Sequence, residues 1–466
     1  MKFYFKYIYS LLIGFLLIIF LPIASAQNKP VVNLHYWKNK DNVPVYFVAA
    51  HEVPMIIVNL VFKAGSAFDG KEWGLAQLTG SLLNQGTKTR DADQIANDLS
   101  AIGADYDVDV DRDMSVVSLK SLSERKYLVP ALDIFLDILA NPSFPVNGFT
   151  RTQQQLLASI KSQQEDPAEI AEEQFFESLY LNHPYAHPVN GTLSSVGKIK
   201  ISDAIGFYKQ FYNNQNLKIV IVGDLTQAEA NNISKQITTA LISNPGSLAP
   251  AIPIPSNPVA VKKHILFPAQ QTSILIGQLG IRQNDPNFFP LLVGNYILGD
   301  LPLDSLLFQE VRKKRGLAYD VDSNFTLYQE LGPFSINLQT RSQAANSALN
   351  VTMETLQNYL KKGPSEEQLD LAKKTLINSF PVNLASNQSI ANVLVRMAFY
   401  NKPLNYLDSY RDNVAAVTLE QVRKAFGQSI DPSKMIEITV GPGDGVAVTK
   451  EKPIKPVDEE EAVRPH

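Results

Sequence analysis

Apolar positions along this chain alternate between two spacings, and their order sets the expected elements. Within residues 31–50 the alternation in Val45-Tyr46-Phe47-Val48 predicts edge strands, and Met55-Ile56-Ile57-Val58-Asn59-Leu60-Val61-Phe62 predicts a buried strand. Residues 74–87, Gly74-Leu75-Ala76-Gln77-Leu78-Thr79-Gly80-Ser81-Leu82-Leu83-Asn84-Gln85-Gly86-Thr87, have helical spacing. A second helix over 93–102 stops at Gly103, a residue that readily ends helices. Tyr106–Val110 and Met114–Leu119 alternate as an antiparallel pair around a charged turn. Four helices follow: 124–139 with helical spacing of Leu128, Leu132, Ile134, Phe135 and Leu139, a polar helix over 147–164, then 167–181 and 201–212. The last leads into a strand, Leu217-Lys218-Ile219-Val220-Ile221-Val222, and a turn at Gly223-Asp224.

Between 242 and 257 the pattern lapses. Pro245, Pro250, Pro253 and Pro255 with Gly246 exclude a helix or a central strand, so an extended linker is expected over 243–260. Beyond it the earlier landmarks return. Thr272–Gly280 matches Ile56–Gly65, Gly316-Leu317-Ala318-Tyr319-Asp320-Val321-Asp322 matches Gly103-Ala104-Asp105-Tyr106-Asp107-Val108-Asp109, and Ile436–Gly441 matches Ile219–Gly223. Their offsets are about 215, 213 and 218 residues. Near-constant offsets signal duplication. The expected fold is α+β, with two homologous domains over 27–242 and 261–446. Each is a mostly antiparallel sheet with helices packed on one face, and the two form a clamshell. Residues 447–466, with Asp458-Glu459-Glu460-Glu461, are too polar to bury and read as a solvated tail.

Composition narrows the setting. Lys2 and Lys6, an apolar run over 8–23 and Ala24-Ser25-Ala26 predict a secretory signal peptide over 1–26, cleaved near Ala26, in preference to a retained anchor. The mature chain is then expected in the periplasm or outside the cell, without a membrane span. A net charge of -4 and a pI near 5.9 argue against nucleic acid as a partner. Cysteine is absent, which excludes cross-links, thiolate zinc sites and cysteine nucleophiles. An apolar content of 45% suffices for large cores instead.

The remaining chemistries are tested by spacing. None of the six histidines, His35, His51, His183, His187, His264 and His466, follows a glutamate, so H-x-x-E-H occurs nowhere. His51-Glu52-Val53-Pro54-Met55 starts like the forward zinc motif but has Met55 in place of the second histidine. His183-Pro184-Tyr185-Ala186-His187-Pro188 has two prolines where a helix would be needed to aim both rings at one ion. Gly191–Lys198 misses the phosphate-loop spacing by one residue and has Ile199 where Ser or Thr belongs. No G-x-S-x-G elbow is present.

The helix at 74–87, preceded by Phe62-Lys63-Ala64-Gly65-Ser66 and closed by Gly86-Thr87, resembles the zinc helix of the pitrilysin/insulinase-type peptidases. There H-x-x-E-H sets two histidines one turn apart on a helix face, with the water-polarising glutamate beside them. In register those places hold Gln77, Gly80 and Ser81, which supply no good zinc ligand. The stretch from His183 through Gly191-Thr192 resembles the family's H-P-Y-x-x-P-x-x-G-T loop. Aligned on Glu165-Asp166-Pro167, the family's further glutamate ligand falls at Ala158 and Ser159. Nearby Glu172, Glu173 and Glu177 read as a solvated helix face. Asn295-Tyr296-Ile297-Leu298-Gly299 with Ser305–Tyr319 resembles the family's carboxy-terminal domain, whose arginine and tyrosine, seven residues apart, hold the substrate carbonyl. Arg312 and Tyr319 keep that spacing.

The resemblance covers about 31–443. It implies a non-catalytic subunit that binds no cofactor itself and supplies Arg312 and Tyr319 to a zinc-bearing paralogous partner. The zinc is expected in that partner, and the substrate is a peptide or unfolded segment. The alternative is a peptide-binding or assembly scaffold with no part in proteolysis. An active peptidase with unconventional ligands is the third reading.

Overall fold

The computed structural model describes residues 31–241 and 246–443. The expected leader, the tail from 447 and the start of the linker lie outside the described residues.

The first half begins with strands β1 (Leu34–Lys38), β2 (Pro44–Ala49) and β3 (Met55–Phe62), then helices α1 (Leu75–Leu82) and α2 (Ala92–Ala101). A hairpin of β4 (Asp105–Val110) and β5 (Ser115–Leu122) follows. Next come α3 (Arg125–Ala140), α4 (Val146–Gln163), α5 (Pro167–Tyr180), a single turn α6 (Leu193–Val196) and α7 (Ile201–Phe211). Strand β6 (Leu217–Gly223) and α8 (Gln227–Ala240) complete it. The second half comprises β7 (Val261–Leu266), β8 (Gln271–Leu279), α9 (Phe288–Asn295), β9 (Ala318–Phe325) and β10 (Pro333–Arg341). It ends with α10 (Ala345–Lys362), α11 (Glu366–Ser379), α12 (Asn387–Phe399), α13 (Tyr406–Ala415), α14 (Leu419–Ser429) and β11 (Ile436–Gly441).

The elements expected from the pattern form within a residue or two of their limits, except that β5 runs on past Leu119 to Leu122 and α1 stops short. Helix α1 ends at Leu82, short of the expected span to Thr87, because Gly86 takes a φ of 152° and the chain bridges to Asp91 instead. Helix α8, which was not among the expected elements, buries Ala230, Ile233 and Ile237 at helical spacing. It is fixed at its start by a capping box in which Thr226 and Glu229 exchange bonds with each other's backbone.

The first sheet has the order β1-β2-β6-β3-β5-β4 and the second β7-β11-β8-β10-β9. Aligning β3 with β8 makes the two orders identical apart from the added edge strand β1. The one parallel pair is also shared, β2 with β6 and β7 with β11. Gly103 and Gly316, matched in the repeat, both adopt left-handed conformations at φ 62° and 59°. The duplication read from offsets is therefore a duplication of topology.

Most helices of each half cover one face of its own sheet. The opposite face is covered by a helix from the other half. Ala171, Phe175 and Leu179 of α5 pack on Leu275 of β8 and on Ile436, Ile438 and Val440 of β11. Reciprocally, Ala391, Leu394, Val395 and Ala398 of α12 pack on Ile57 and Val61 of β3 and on Val220 and Val222 of β6. Both faces of β3, β6, β8 and β11 are therefore buried almost throughout, which explains why β3 and β6 read as nearly continuous apolar runs.

Candidate functional site

Helix α1 is held at its start by a buried carboxylate. Asp69 accepts from the backbone N–H groups of Gly74 and Ala76, both at 2.7 Å. Burial pushes its carboxyl well up, against the backbone donors that favour the charged form. Gly74 has a φ of 92°, and a Cβ there would lie 2.6 Å from the Asn190 carbonyl oxygen. Gly191 presses back so closely that its own Cβ would lie 2.2 Å from the Trp73 carbonyl oxygen, to which the Ser195 hydroxyl donates at 2.8 Å. The loop that resembles H-P-Y-x-x-P-x-x-G-T is thus the clamp on the helix.

Its two histidines belong to that clamp. The His183 ring lies with Nε2 2.7 Å from the Pro253 carbonyl, while its Nδ1 accepts the Tyr185 N–H at 3.1 Å. His187 stacks on Trp73 with centroids 5.4 Å apart and planes within 7°, and its Nδ1 lies 3.0 Å from the Pro188 carbonyl. Burial lowers the His187 pKa to about 4, so the ring is neutral at ordinary pH.

On the helix itself, Gln77 and Ser81 stand one turn apart, their side chains joined by a long 3.5 Å contact. Gly80 is buried against β4, where a Cβ would lie 3.0 Å from Val108 Cγ1 and 3.1 Å from Val110 Cγ2. A glutamate in its place would have to displace those valines. Ala158 and Ser159 are exposed on α4. Among the described residues no group of three or more His, Cys, Asp or Glu is placed to hold a metal ion.

Arg312 and Tyr319 are brought together in the second half. Arg312 lies in a π-helical segment, Phe308–Lys313, a form that occurs mostly as single turns and often at functional sites. Its guanidinium is 5.0 Å from the centre of the Phe308 ring and 4.9 Å from that of Tyr319. Its neighbours behave differently. Lys314 and Arg315 both pair with Glu310, at 2.6 and 2.7 Å, whereas Arg312 has no ion pair among the described residues. Tyr319 is 77% exposed at the start of β9, an edge strand, and lines a cleft of about 600 Å³ between α5 and the second sheet. Glu169 and Glu172 of α5 and Asp320 and Asp322 of β9 share the lining. Burial and then mutual repulsion raise the Glu169 carboxyl, and Asp322 is raised mainly by burial. Glu172 therefore faces this cleft, where the sequence suggested a plain solvated helix face.

The turn between β4 and β5, read from sequence only as charged, is buried at the junction of the halves. Asp113 is fully buried and accepts from the Tyr185 hydroxyl, the Tyr400 hydroxyl at 2.8 Å and the Gln329 N–H at 2.7 Å. Beside it the Arg112 guanidinium lies 3.7 Å over the Phe176 ring, and its Nε donates to the Tyr185 carbonyl at 3.1 Å. Three charges in four residues look solvated, and nothing local reveals that the side chains of Arg112 and Asp113 hydrogen-bond to partners 72 to 287 positions away.

Comparison with known proteins agrees with this geometry. Residues 46–193 match the model of the insulinase family, peptidase family M16, and residues 198–376 match that of the M16 inactive domain. A solved M16 inactive domain from Pseudomonas fluorescens is 37% identical to this chain, covering 90% of it and all of that structure, with a TM-score of 0.85. This chain belongs to the M16 peptidase family. Other M16-like relatives are more distant. A Helicobacter pylori protein named "Non-peptidase homolog YmxG" is 26% identical over 393 residues, covering 83% of this chain and 89% of the relative. A Rickettsia bellii protein named as an uncharacterized zinc protease is 25% identical, with 87% and 91% covered. The names of M16 relatives therefore include both peptidase and non-peptidase. The place to decide is the helix, where this M16 chain has Gln77, Gly80 and Ser81.

Proposed function

We propose that this M16 chain is the non-catalytic subunit of a periplasmic zinc peptidase, joining a zinc-bearing paralogue and supplying Arg312 and Tyr319 to the shared site. The observation that carries this reading is a contrast. Every place for a metal ligand is occupied by a residue that makes no good zinc ligand, while the Arg312 guanidinium lies 4.9 Å from the ring of Tyr319, which lines an open cleft. A guanidinium is a permanent planar donor, and an exposed phenol donates to an oxygen on which charge develops. Both groups suit the carbonyl of a scissile peptide held against a metal on another subunit. The name of the Helicobacter pylori relative favours the same reading, as does the likeness to an inactive domain from Pseudomonas fluorescens.

The test is reconstitution. The purified chain alone should bind no zinc and cleave no peptide, and mixing it with an H-x-x-E-H-bearing M16 paralogue from the same organism should restore cleavage of an unfolded peptide. Arg312→Ala should lower turnover of the assembled pair without preventing assembly. Full turnover by the Arg312→Ala pair sinks the role given to that residue. Zinc bound stoichiometrically by the untagged single chain, with proteolysis, sinks the whole reading. Co-purification with an assembly that contains no zinc peptidase would favour the scaffold alternative.

A further inference from the structure

A second cleft, of about 780 Å³, opens between the two halves and shares no lining residue with the one at Tyr319. Its volume is within the range of ligand sites, which favour such domain boundaries. Its chemistry is unusual. Eight of its sixteen lining residues are Asn or Gln, drawn from both halves. Its three charged residues are engaged within the protein. Lys63 donates to the Pro250 carbonyl at 2.9 Å, and Lys218 donates to the carbonyls of Ala398 and Phe399 at 2.6 and 3.1 Å and to Asn401. Asp41 accepts from the Thr238 hydroxyl at 2.6 Å. The rest of the lining is rich in carboxamides, beside the two lysine ammonium groups.

The walls are fixed. The buried Asp113 holds Tyr400 and the Gln329 backbone. The Gln283 backbone is held on both sides, its N–H by Tyr328 and its carbonyl by the Lys402 ammonium, and Asn284 donates to the Tyr400 carbonyl at 2.9 Å. Yet two acceptors from opposite halves go unused. Gln283 is 7% exposed and its Oε1 has no hydrogen-bond partner, and neither does Asn214 Oδ1. Buried acceptors without donors are rare and call for an explanation. Because the terminal torsion of glutamine is soft, a small turn presents Gln283 Oε1 to the cleft.

We propose that this cleft holds an extended peptide by its main chain, with the turned Gln283 side chain accepting from a peptide N–H group. Carboxamides pair with peptide groups as donor and acceptor alike, so such a wall grips a segment without reading its side chains. Pro44 and the exposed Leu248 offer apolar contact beside it. A sugar would need an open aromatic face, and the aromatic rings in the lining, Phe399 and Tyr400, are 9% and 5% exposed. The site is complete within one chain and does not depend on a zinc-bearing partner.

The test uses the mature chain alone and an end-blocked, fluorescein-labelled Ala-Ser hexapeptide, with a copy N-methylated at alternate residues. The plain peptide should raise anisotropy on binding, and N-methylation should weaken it at least tenfold. Gln283→Leu should weaken the plain peptide at least tenfold while its Tm stays at or above that of the wild type, since the change removes an unsatisfied buried oxygen. Equal affinity for the two peptides overturns the proposal, as does wild-type affinity in Gln283→Leu. So does absence of binding at millimolar peptide, or displacement of the peptide by maltotriose. Should Gln283→Leu melt early, the N-methylated peptide, which needs no variant, decides. No partner subunit enters the assay, so its failure is separate from failure of the reconstitution.

Discussion

The Tyr400 hydroxyl donates to Asp113 Oδ2 across 2.8 Å, joining residues 287 positions apart and tying the end of α12 to the β4–β5 turn. A hydrogen bond to a buried carboxylate contributes about 1.5–3 kcal/mol. Tyr400→Phe removes the hydroxyl and keeps the ring, while Asp113 retains Tyr185 and the Gln329 N–H. Urea unfolding should show a loss of about that size. A loss below ~0.5 kcal/mol would mean that this bond does not hold the halves together.

Acid should weaken the fold through His187. Its pKa falls to about 4 on burial, below the ordinary histidine value of about 6.5. Above about pH 6.5 the ring is neutral folded or unfolded, and its contribution is fully present. Between about 6.5 and 4 only the unfolded chain takes up the proton, so stability declines by at most ~1.4 kcal/mol per pH unit from this group, then levels off. His187→Phe keeps an aromatic ring against Trp73 and removes the titration. The difference between the two proteins' unfolding free energies should change with pH across that window and be flat above it.

Gly74→Ala should be strongly destabilising. The left-handed φ of 92° alone disfavours a side chain by about 1–3 kcal/mol, and the Asn190 carbonyl stands where the methyl group must go. Thermal melting should drop by several degrees, with the loop at 190–196 losing protection from hydrogen exchange first. Unchanged melting would show that the clamp on α1 is loose.

Arg312→Lys should behave more like Arg312→Ala than like the wild type in the reconstituted pair, with turnover reduced about tenfold or more. The planar guanidinium is aligned by Phe308 and Tyr319, and an ammonium keeps the charge but neither the plane nor the fork of donors. Assembly, followed by size-exclusion chromatography, should be unaffected. A fully active Arg312→Lys pair would reduce the role of Arg312 to that of a simple positive charge.

Much of the fold was legible because burial on both faces writes itself as continuous apolar runs, as in Met55–Phe62 and Leu217–Val222. The repeat was legible because Gly103 and Gly316 need the same left-handed backbone. The covering of each sheet by a helix from the other half was not legible. An amphipathic helix such as α5 shows that it has a buried face and not which surface it meets. The helix that carries Gln77, Gly80 and Ser81 was visible in the pattern, and the structure brings Arg312 and Tyr319 together. The carboxamide cleft was not visible, because Asn214 and Gln283 look like ordinary polar residues until folding brings them to one cavity. The buried Asp113 was hidden for the same reason.

The exchange of α5 and α12 constrains how this molecule can move. Swinging the halves apart about the segment at 246–260 would expose Phe175 and Val440 on one side and Val220 and Leu394 on the other in a single step, so the chain cannot gape along its own midline without unravelling. In the proposed pair, the breathing that admits a long guest would then occur at the seam with the second polypeptide, with this one moving as a rigid jaw.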